Sequence, residues 1–446
     1  MSHRLGTFDV SMLVLSLVIG IGIFRTPQMV AEQAGSLPVF IAAWVLGALC
    51  SLCGALTFAR IGTLLPVSGG FYSIFSTCYH PAFAFAMNWS LVVINACSMA
   101  GVALIGVEYL MPVIFPGSIT AQTSQTNQFT LVGIIVISLF LANSGGLRWG
   151  VLTQNIVSSL KILLLLSLCI SVAFIPGAES PALSSVPATS PIQPWWSCLG
   201  VALISVFFTY GGYQQTINIG ADVRDPGSTF YRGTILGMLF VLLVYGSANA
   251  AYVHSVGFEA MQHTPLIGAA PAVALFGDTG LRVTGIIIAI SVIGFLNSGL
   301  LTTPPIMIAM AEDGMLPRFF SRQAHGDRSL RRSLIVYTIL IMVTLIGLKT
   351  FKSLMTYVMF TDSISLAFGA ACVFILLRRQ PAQKEPLAPR LLWLIAPLIF
   401  IGIMVFVTVN VIRTEPTNAA IGTAVFVAGL FVYYLRIGIT KKGQKV

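Results

Sequence analysis

The side chains able to do chemistry are few, and they sit in unusual surroundings. The five histidines, His3, His80, His254, His263 and His325, fall in tails, loops or the ends of apolar stretches, and no two have the spacing of metal ligands. The sequence holds no phosphate-binding loop and no nucleophile beside a general base, so nothing in it points to an enzyme, a metal or a cofactor. Cys50 and Cys53 form a CxxC inside a continuous apolar run, where small packing thiols are a better reading than a redox pair. Of the ionisable residues within apolar stretches, three stand out. Lys161 is alone in the run 151–175, Asp362 lies well inside 353–377, and Glu108 is near one end of 82–111. Two further stretches are interrupted by glycine pairs, at Ile19-Gly20-Ile21-Gly22-Ile23 and Thr209-Tyr210-Gly211-Gly212-Tyr213. Such a break opens backbone N–H and C=O groups, which can hold an anion at one half-helix end and a cation at the other. The competing reading of these glycines is close helix packing, where small residues are common.

Composition says what must position these groups. Charged residues make up 9% of the 446 residues, against about 25% in a soluble domain. The hydrophobic set reaches 56%, and the mean hydropathy is +0.91. Disorder is excluded by this apolar content, and a disulfide scaffold by the length and the odd count of seven Cys. A spanning helix needs about 20 apolar residues. Twelve stretches qualify, near 8–31, 38–65, 82–111, 126–143, 151–175, 195–220, 233–253, 283–311, 334–348, 353–377, 391–412 and 419–435. A β-barrel would alternate polar and apolar residues, whereas 162–173 is continuously apolar apart from two Ser and a Cys. The fold class expected is therefore an all-α integral membrane protein of twelve helices.

The net charge of +10 is a topology signal rather than a mark of nucleic-acid binding. With the N-terminus inside and twelve alternating spans, eighteen of the 24 Lys and Arg lie in inner segments and five in outer ones, with Lys161 mid-span. Positive loops stay cytoplasmic, so both termini are placed inside a multi-pass cell membrane protein. Anionic lipid of the bilayer is a secondary partner for that charge. The first stretch is read as a span, since no small-x-small cleavage site follows it. No loop is long enough to fold alone, so residues 1–446 form one transmembrane domain.

The broken stretches are the first and the sixth, five apart. A five-span unit that repeats must insert its second copy upside down, and breaks at matching positions of inverted halves point to a binding site in secondary transporters. The halves are expected at about 8–175 and 195–378, with two peripheral helices at about 391–435.

Several segments resemble one family in the right order. Residues 18–27, VIGIGIFRTP, resemble the first-helix motif of the amino acid–polyamine–organocation superfamily, and 57–75, TFARIGTLLPVSGGFYSIF, its second helix and following loop. The 143–161 segment, with Gly146, Arg148, Gln154 and Lys161, is similar to the junction of helices four and five. Residues 207–226, FFTYGGYQQTINIGADVRDP, are similar to the sixth helix of bacterial L-type amino acid transporters, and 245–252, YGSANAAY, and 295–317 resemble helices seven and eight. The chain departs from the family at Ile21, at Arg60, at Tyr213-Gln214 and at Thr302-Thr303-Pro304-Pro305.

The resemblance implies a secondary active carrier of free amino acids, working by alternating access as a sodium-independent exchanger or a proton-coupled permease for neutral substrates. A polyamine or amine carrier of the same fold is the alternative, and Asp362 is the acidic residue it would use. A channel or receptor has no supporting motif. The α-carboxylate would meet the backbone N–H groups of Gly20, Gly22 and Ile23, and the α-ammonium the carbonyls of Phe207, Phe208 and Gly211, with Ile19, Ile21 and Tyr210 completing the substrate-binding set. Phe208 is either an outer gate over the substrate or a core aromatic. By the resemblance Lys161 lies in helix five against the unwound part of helix one, with Ser298 of helix eight, where sodium-coupled members bind their ion. The other reading of Lys161, a snorkelling side chain, fits poorly with its depth. Gln214, Asn297 and Asp362 complete the candidate set. A homo-oligomer or an accessory subunit is left open.

Overall fold

The computed structural model describes residues 6–65, 70–118, 120, 122, 124–144, 163, 165–167, 170, 174–175, 194–214, 229–312, 314–321, 328–379 and 387–443. Among these the regular elements are all helical. The chain begins with α1 (Thr7–Val18), a short 3-10 turn (Gly22–Phe24) and α2 (Thr26–Ala34), followed by α3 (Leu37–Leu64) and α4 (Gly70–Cys78). Next come α5 (Pro81–Ile114), α6 (Gln125–Ser144), α7 (Trp195–Tyr210), α8 (Thr229–Val256) and α9 (Phe258–Met261). The remainder is α10 (Ala270–Glu312), α11 (Arg328–Leu348), α12 (Phe351–Arg379), α13 (Leu387–Thr414) and α14 (Pro416–Gly443).

Nine helices among the described residues are long and apolar enough to cross a membrane. They coincide with the second, third, fourth and seventh to twelfth expected spans. The first and sixth expected spans appear instead as shorter apolar helices, Thr7–Val18 and Trp195–Tyr210, because each is cut at its glycine pair. Most of the fifth expected span falls outside the described residues, and Lys161 with it. Large apolar side chains face outward along these helices, among them Leu243 (70% exposed), Leu141 (63%) and Phe431 (64%). In water that surface would be costly; in hydrocarbon it is the solvated face.

Local chemistry sets the helix ends. Asp9, in the first turn of α1, accepts the N–H of Gly6 at 2.8 Å, placing a negative charge at the positive end of the helix. Pro27 sits at the start of α2, where its missing N–H does no harm, and α2 closes on Gly35 in the left-handed region at φ 65°.

The chain divides into two units. The first comprises Met1–His80, Leu165–Leu275 and Asp362–Pro416, the second Pro81–Leu164, Phe276–Thr361 and Thr417–Val446. Each unit draws helices from both expected repeats. The first holds α1 to α3 with α7 and α8, and the second α5 and α6 with most of α10 and α11, so each holds elements five spans apart. Within the first unit α1 packs on α8, α2 on α7, and α3 on α7, α8 and α13. Within the second, α5 packs on α6 and α11, and α6 on α11.

Candidate functional site

The first break is a change of backbone course at the end of α1. Ile19 is extended, at φ −68° and ψ 92°, though its N–H still reaches the Leu15 carbonyl at 2.9 Å. The chain then tightens into the 3-10 turn, with Phe24 N–H on Ile21 O (3.0 Å) and Arg25 N–H on Gly22 O (2.9 Å). The Thr26 hydroxyl donates back to the same Gly22 carbonyl at 3.0 Å and restarts the helix as α2. Among the described residues the N–H groups of Ile21 and Gly22 donate to no carbonyl, as expected at the start of a turn. Ile19, Ile21, Gly22 and Ile23 are buried, and Gly20 is half-buried.

The second break ends α7. Gly211 takes φ −55° and ψ 150°, a conformation open to any residue, whereas Gly212 sits at φ 121°. A Cβ on Gly212 would lie 2.1 Å from the Leu17 carbonyl oxygen of α1, so only glycine fits this crossing. The Gly212 N–H is turned to the Gln214 side-chain oxygen at 2.8 Å, away from the carbonyl of Phe208 four residues back. Gln214 therefore caps the break. Phe207 is buried, while Phe208 next to it is half-buried.

The two breaks lie against each other. A Cβ on Gly22 would sit 3.2 Å from the Thr209 Cα, and the Thr26 and Thr209 hydroxyls are hydrogen-bonded across the contact. Farther along α2, the Gln33 side-chain oxygen accepts the Ser205 hydroxyl of α7 at 2.8 Å. The most telling group is Tyr245 of α8. Its fully buried hydroxyl donates to the Val18 carbonyl at 2.9 Å and stands 3.3 Å from the Thr209 carbonyl. Both carbonyls lie at half-helix ends, where the regular partner four residues on is lost. One hydroxyl thus serves both breaks, and burying either carbonyl unpartnered would be costly. The Tyr245 ring is held by Tyr210 (centroids 5.2 Å apart) and by Trp44 of α3 (6.3 Å).

The other candidates fall as follows. Tyr210 is 1% exposed and belongs to this aromatic packing, with Trp44 at 5.8 Å. Asp362 is half-buried on α12 in the first unit and close enough to Tyr213 to act on it electrostatically. Asn297 and Ser298 are half-buried on α10 in the second unit. The Asn297 oxygen accepts the Asn143 side-chain N–H at 2.8 Å, and the Ser298 carbonyl accepts the Thr302 hydroxyl at 3.0 Å. Glu108 is half-buried on α5. Lys161 lies outside the described residues. Among the described residues no group of three or more His, Cys, Asp or Glu is placed to hold a metal.

Tyr245, Thr26 and Thr209 were not among the residues singled out from the sequence. Tyr245 stands in the YGSANAAY segment, and a tyrosine deep in an apolar helix needs a partner for its hydroxyl. Nothing in the sequence says that the partner is a broken helix two hundred residues away.

Comparisons with known proteins place this geometry. The human "Large neutral amino acids transporter small subunit 2" is 26% identical over 444 residues, covering 98% of this chain and 81% of that protein. The "Serine/threonine exchanger SteT" of Bacillus subtilis (strain 168) is 27% identical over 450 residues, 97% of each chain. The mouse "Asc-type amino acid transporter 1" is 25% identical over 448 residues, covering 98% of this chain. The family model described as amino acid permease matches residues 5–435. Two interrupted apolar helices bonded break to break, in a chain of membrane-spanning helices, are thus those of a multi-pass membrane protein that belongs to the amino acid permease family.

Proposed function

We propose that the protein carries neutral amino acids across the membrane by alternating access, without sodium, in exchange for a second amino acid. The observation that carries this reading is the meeting of the two breaks under Tyr245. It gathers half-helix N–H groups and half-helix carbonyls in one place, which is what a zwitterion requires.

The α-carboxylate is held by the amides of Ile21, Gly22 and Ile23, which open the turn at the N-terminal end of the second half-helix. The α-ammonium is held by the Phe207 and Phe208 carbonyls at the end of α7. Tyr245 occupies the Val18 and Thr209 carbonyls, so these two serve the fold and leave recognition to their neighbours. The half-buried Phe208 closes over the ligand. Ile19, Ile21 and Ile23 give the surroundings no charge to match, which favours an uncharged substrate side chain. By its resemblance to the family's fifth helix, Lys161 supplies the positive charge that sodium supplies elsewhere. The twelve-span, five-plus-five arrangement with both termini cytoplasmic is supported by the nine long helices, the two breaks and the asymmetry of basic residues. Exchange is supported by full-length similarity to a protein named as an exchanger.

Purified protein in liposomes, offered a panel of labelled amino acids, tests this. Uptake of neutral amino acids that needs internal amino acid, with sodium and potassium buffers equivalent, is the expected result. Uptake into empty liposomes driven by a proton gradient would replace exchange with symport. Preference for a diamine would replace the substrate class and direct attention to Asp362.

A further inference from the structure

The first unit carries a second cluster of reactive groups, which amino acid transport does not use. Cys78 is the last residue of α4 and is half-buried, and Cys372 lies on α12 and is fully buried. The two side chains are near enough to act on each other's titration. The fold imposes this proximity from both sides. The Tyr79 hydroxyl, one residue beyond Cys78, donates to the Phe368 carbonyl at 2.8 Å, and the Cys372 thiol lies 3.4 Å from the same carbonyl. On the other side, the Arg379 guanidinium donates to the Thr77 carbonyl at 2.8 Å. The Tyr79 and Phe368 rings meet edge to face at 5.9 Å. Residues flanking one cysteine are thus bonded to residues flanking the other.

The two thiols are not equivalent. The neighbouring Cys372 side chain and, after it, the Arg379 charge hold the Cys78 thiol below its ordinary range, against the opposing effect of burial. Cys78 is therefore the attacking thiol, and Cys372 is held beside it as the resolving one. The described cysteines elsewhere lack this combination of partial exposure, a thiol partner and a neighbouring cation. Cys50 and Cys97 are buried within spans, and Cys53 shares an apolar helix with Cys50.

We propose that Cys78 and Cys372 form a dithiol modification site, converted by a hydroperoxide into a disulfide that joins α4 to α12. The Cys78 thiolate attacks the terminal peroxide oxygen, the O–O bond breaks, and the departing alkoxide or hydroxide takes up a proton, leaving Cys78 as a sulfenic acid. The Cys372 sulfur then attacks the Cys78 sulfur. The S–S bond forms, the S–O bond breaks, and the hydroxide leaves as water with the Cys372 proton. The two thiols lose two electrons in all, and the peroxide gains them as an alcohol, or water, plus one further water. Closing the bond brings the two sulfurs to the roughly 2 Å of a disulfide, and the contacts that tie Thr77 and Tyr79 to Arg379 and Phe368 hold the two segments together for that step. The product covalently fixes the end of α4 on α12.

The test is peptide mass spectrometry of the full-length protein in detergent, before and after hydrogen peroxide, with a dithiol reductant to reverse the reaction. The expected result is a cross-linked pair of peptides containing Cys78 and Cys372, lighter by two hydrogens, formed before any other pair and lost on reduction. In the Cys372→Ser variant, the expected result is a sulfenic acid on Cys78 that dimedone traps. Absence of the Cys78–Cys372 link in the oxidised wild type, or a Cys50–Cys53 link formed in its place, overturns the proposal. The wild-type measurement needs no variant, so a variant that fails to fold does not rescue it.

Discussion

Replacing Tyr245 by Phe removes one oxygen and leaves the ring where it is. The ring is fully buried between Tyr210 and Trp44, so no cavity opens beyond the volume of that oxygen, and the packing contribution is small. What is lost is the donor to the Val18 carbonyl at 2.9 Å and to the neighbouring Thr209 carbonyl at 3.3 Å. A buried polar group left unpartnered costs about 1–3 kcal/mol. At about 1.4 kcal/mol per factor of ten, this is roughly a 5- to 150-fold loss in whichever equilibrium keeps the breaks together. Exchange in liposomes and substrate affinity should fall by that order, while the variant still purifies as a monodisperse protein. Thr234, on the same helix, is the control. Among the described residues its buried hydroxyl has no hydrogen-bond partner, so Thr234→Val should change exchange little. If Tyr245→Phe exchanges and binds like the wild type, the hydroxyl does not hold the breaks, and the reasoning from the two carbonyls fails.

The glycines of the second break should differ sharply. Gly212→Ala, at φ 121° and with the Leu17 carbonyl 2.1 Å from the new Cβ, should abolish exchange or folded yield, while Gly211→Ala, at φ −55°, should keep both substantially. Gly22→Val should remove substrate binding measured on the purified protein, since its Cβ already meets Thr209 at 3.2 Å and the branch goes further. Lys161→Ala should lose most exchange, Arg should not restore it, and wild-type exchange should be the same in sodium and potassium buffers, because a planar guanidinium does not replace a compact ammonium. A membrane-impermeant maleimide applied from outside should label a cysteine at Ser185 and not one at the exposed Arg328; the reverse pattern would invert the topology. Ser321 is a poor choice for the inner label, being 6% exposed.

Much of this fold is written in runs of apolar residues. Each of the nine long helices sits where such a run was expected, and the two expected spans that fell short did so at Gly20–Gly22 and at Gly211–Gly212. Which glycine of a pair is indispensable was hidden, because that depends on φ and on a carbonyl from α1, both set by tertiary packing. Gln214 was legible as a polar residue at the break, but its target, the Gly212 N–H, appears only once the turn has formed. Tyr245 was hidden for a different reason. A tyrosine in an apolar helix announces that its hydroxyl has a partner, and the partner here lies 227 residues away along the chain. The grouping of α1 and α3 with α7 and α8 was likewise out of reach, since short-range periodicity carries no record of which helices touch.

In the proposed function the two breaks hold the amino acid. The most direct measurement is substrate protection at the breaks themselves. Cysteines placed singly at Phe208, half-buried beside the second break, and at Leu243, 70% exposed on the outer face of α8, are reacted with a maleimide and followed peptide by peptide. A saturating neutral amino acid should slow labelling at Phe208→Cys and leave Leu243→Cys unchanged. Unchanged labelling at Phe208→Cys, in protein that binds the same amino acid, would place the substrate elsewhere.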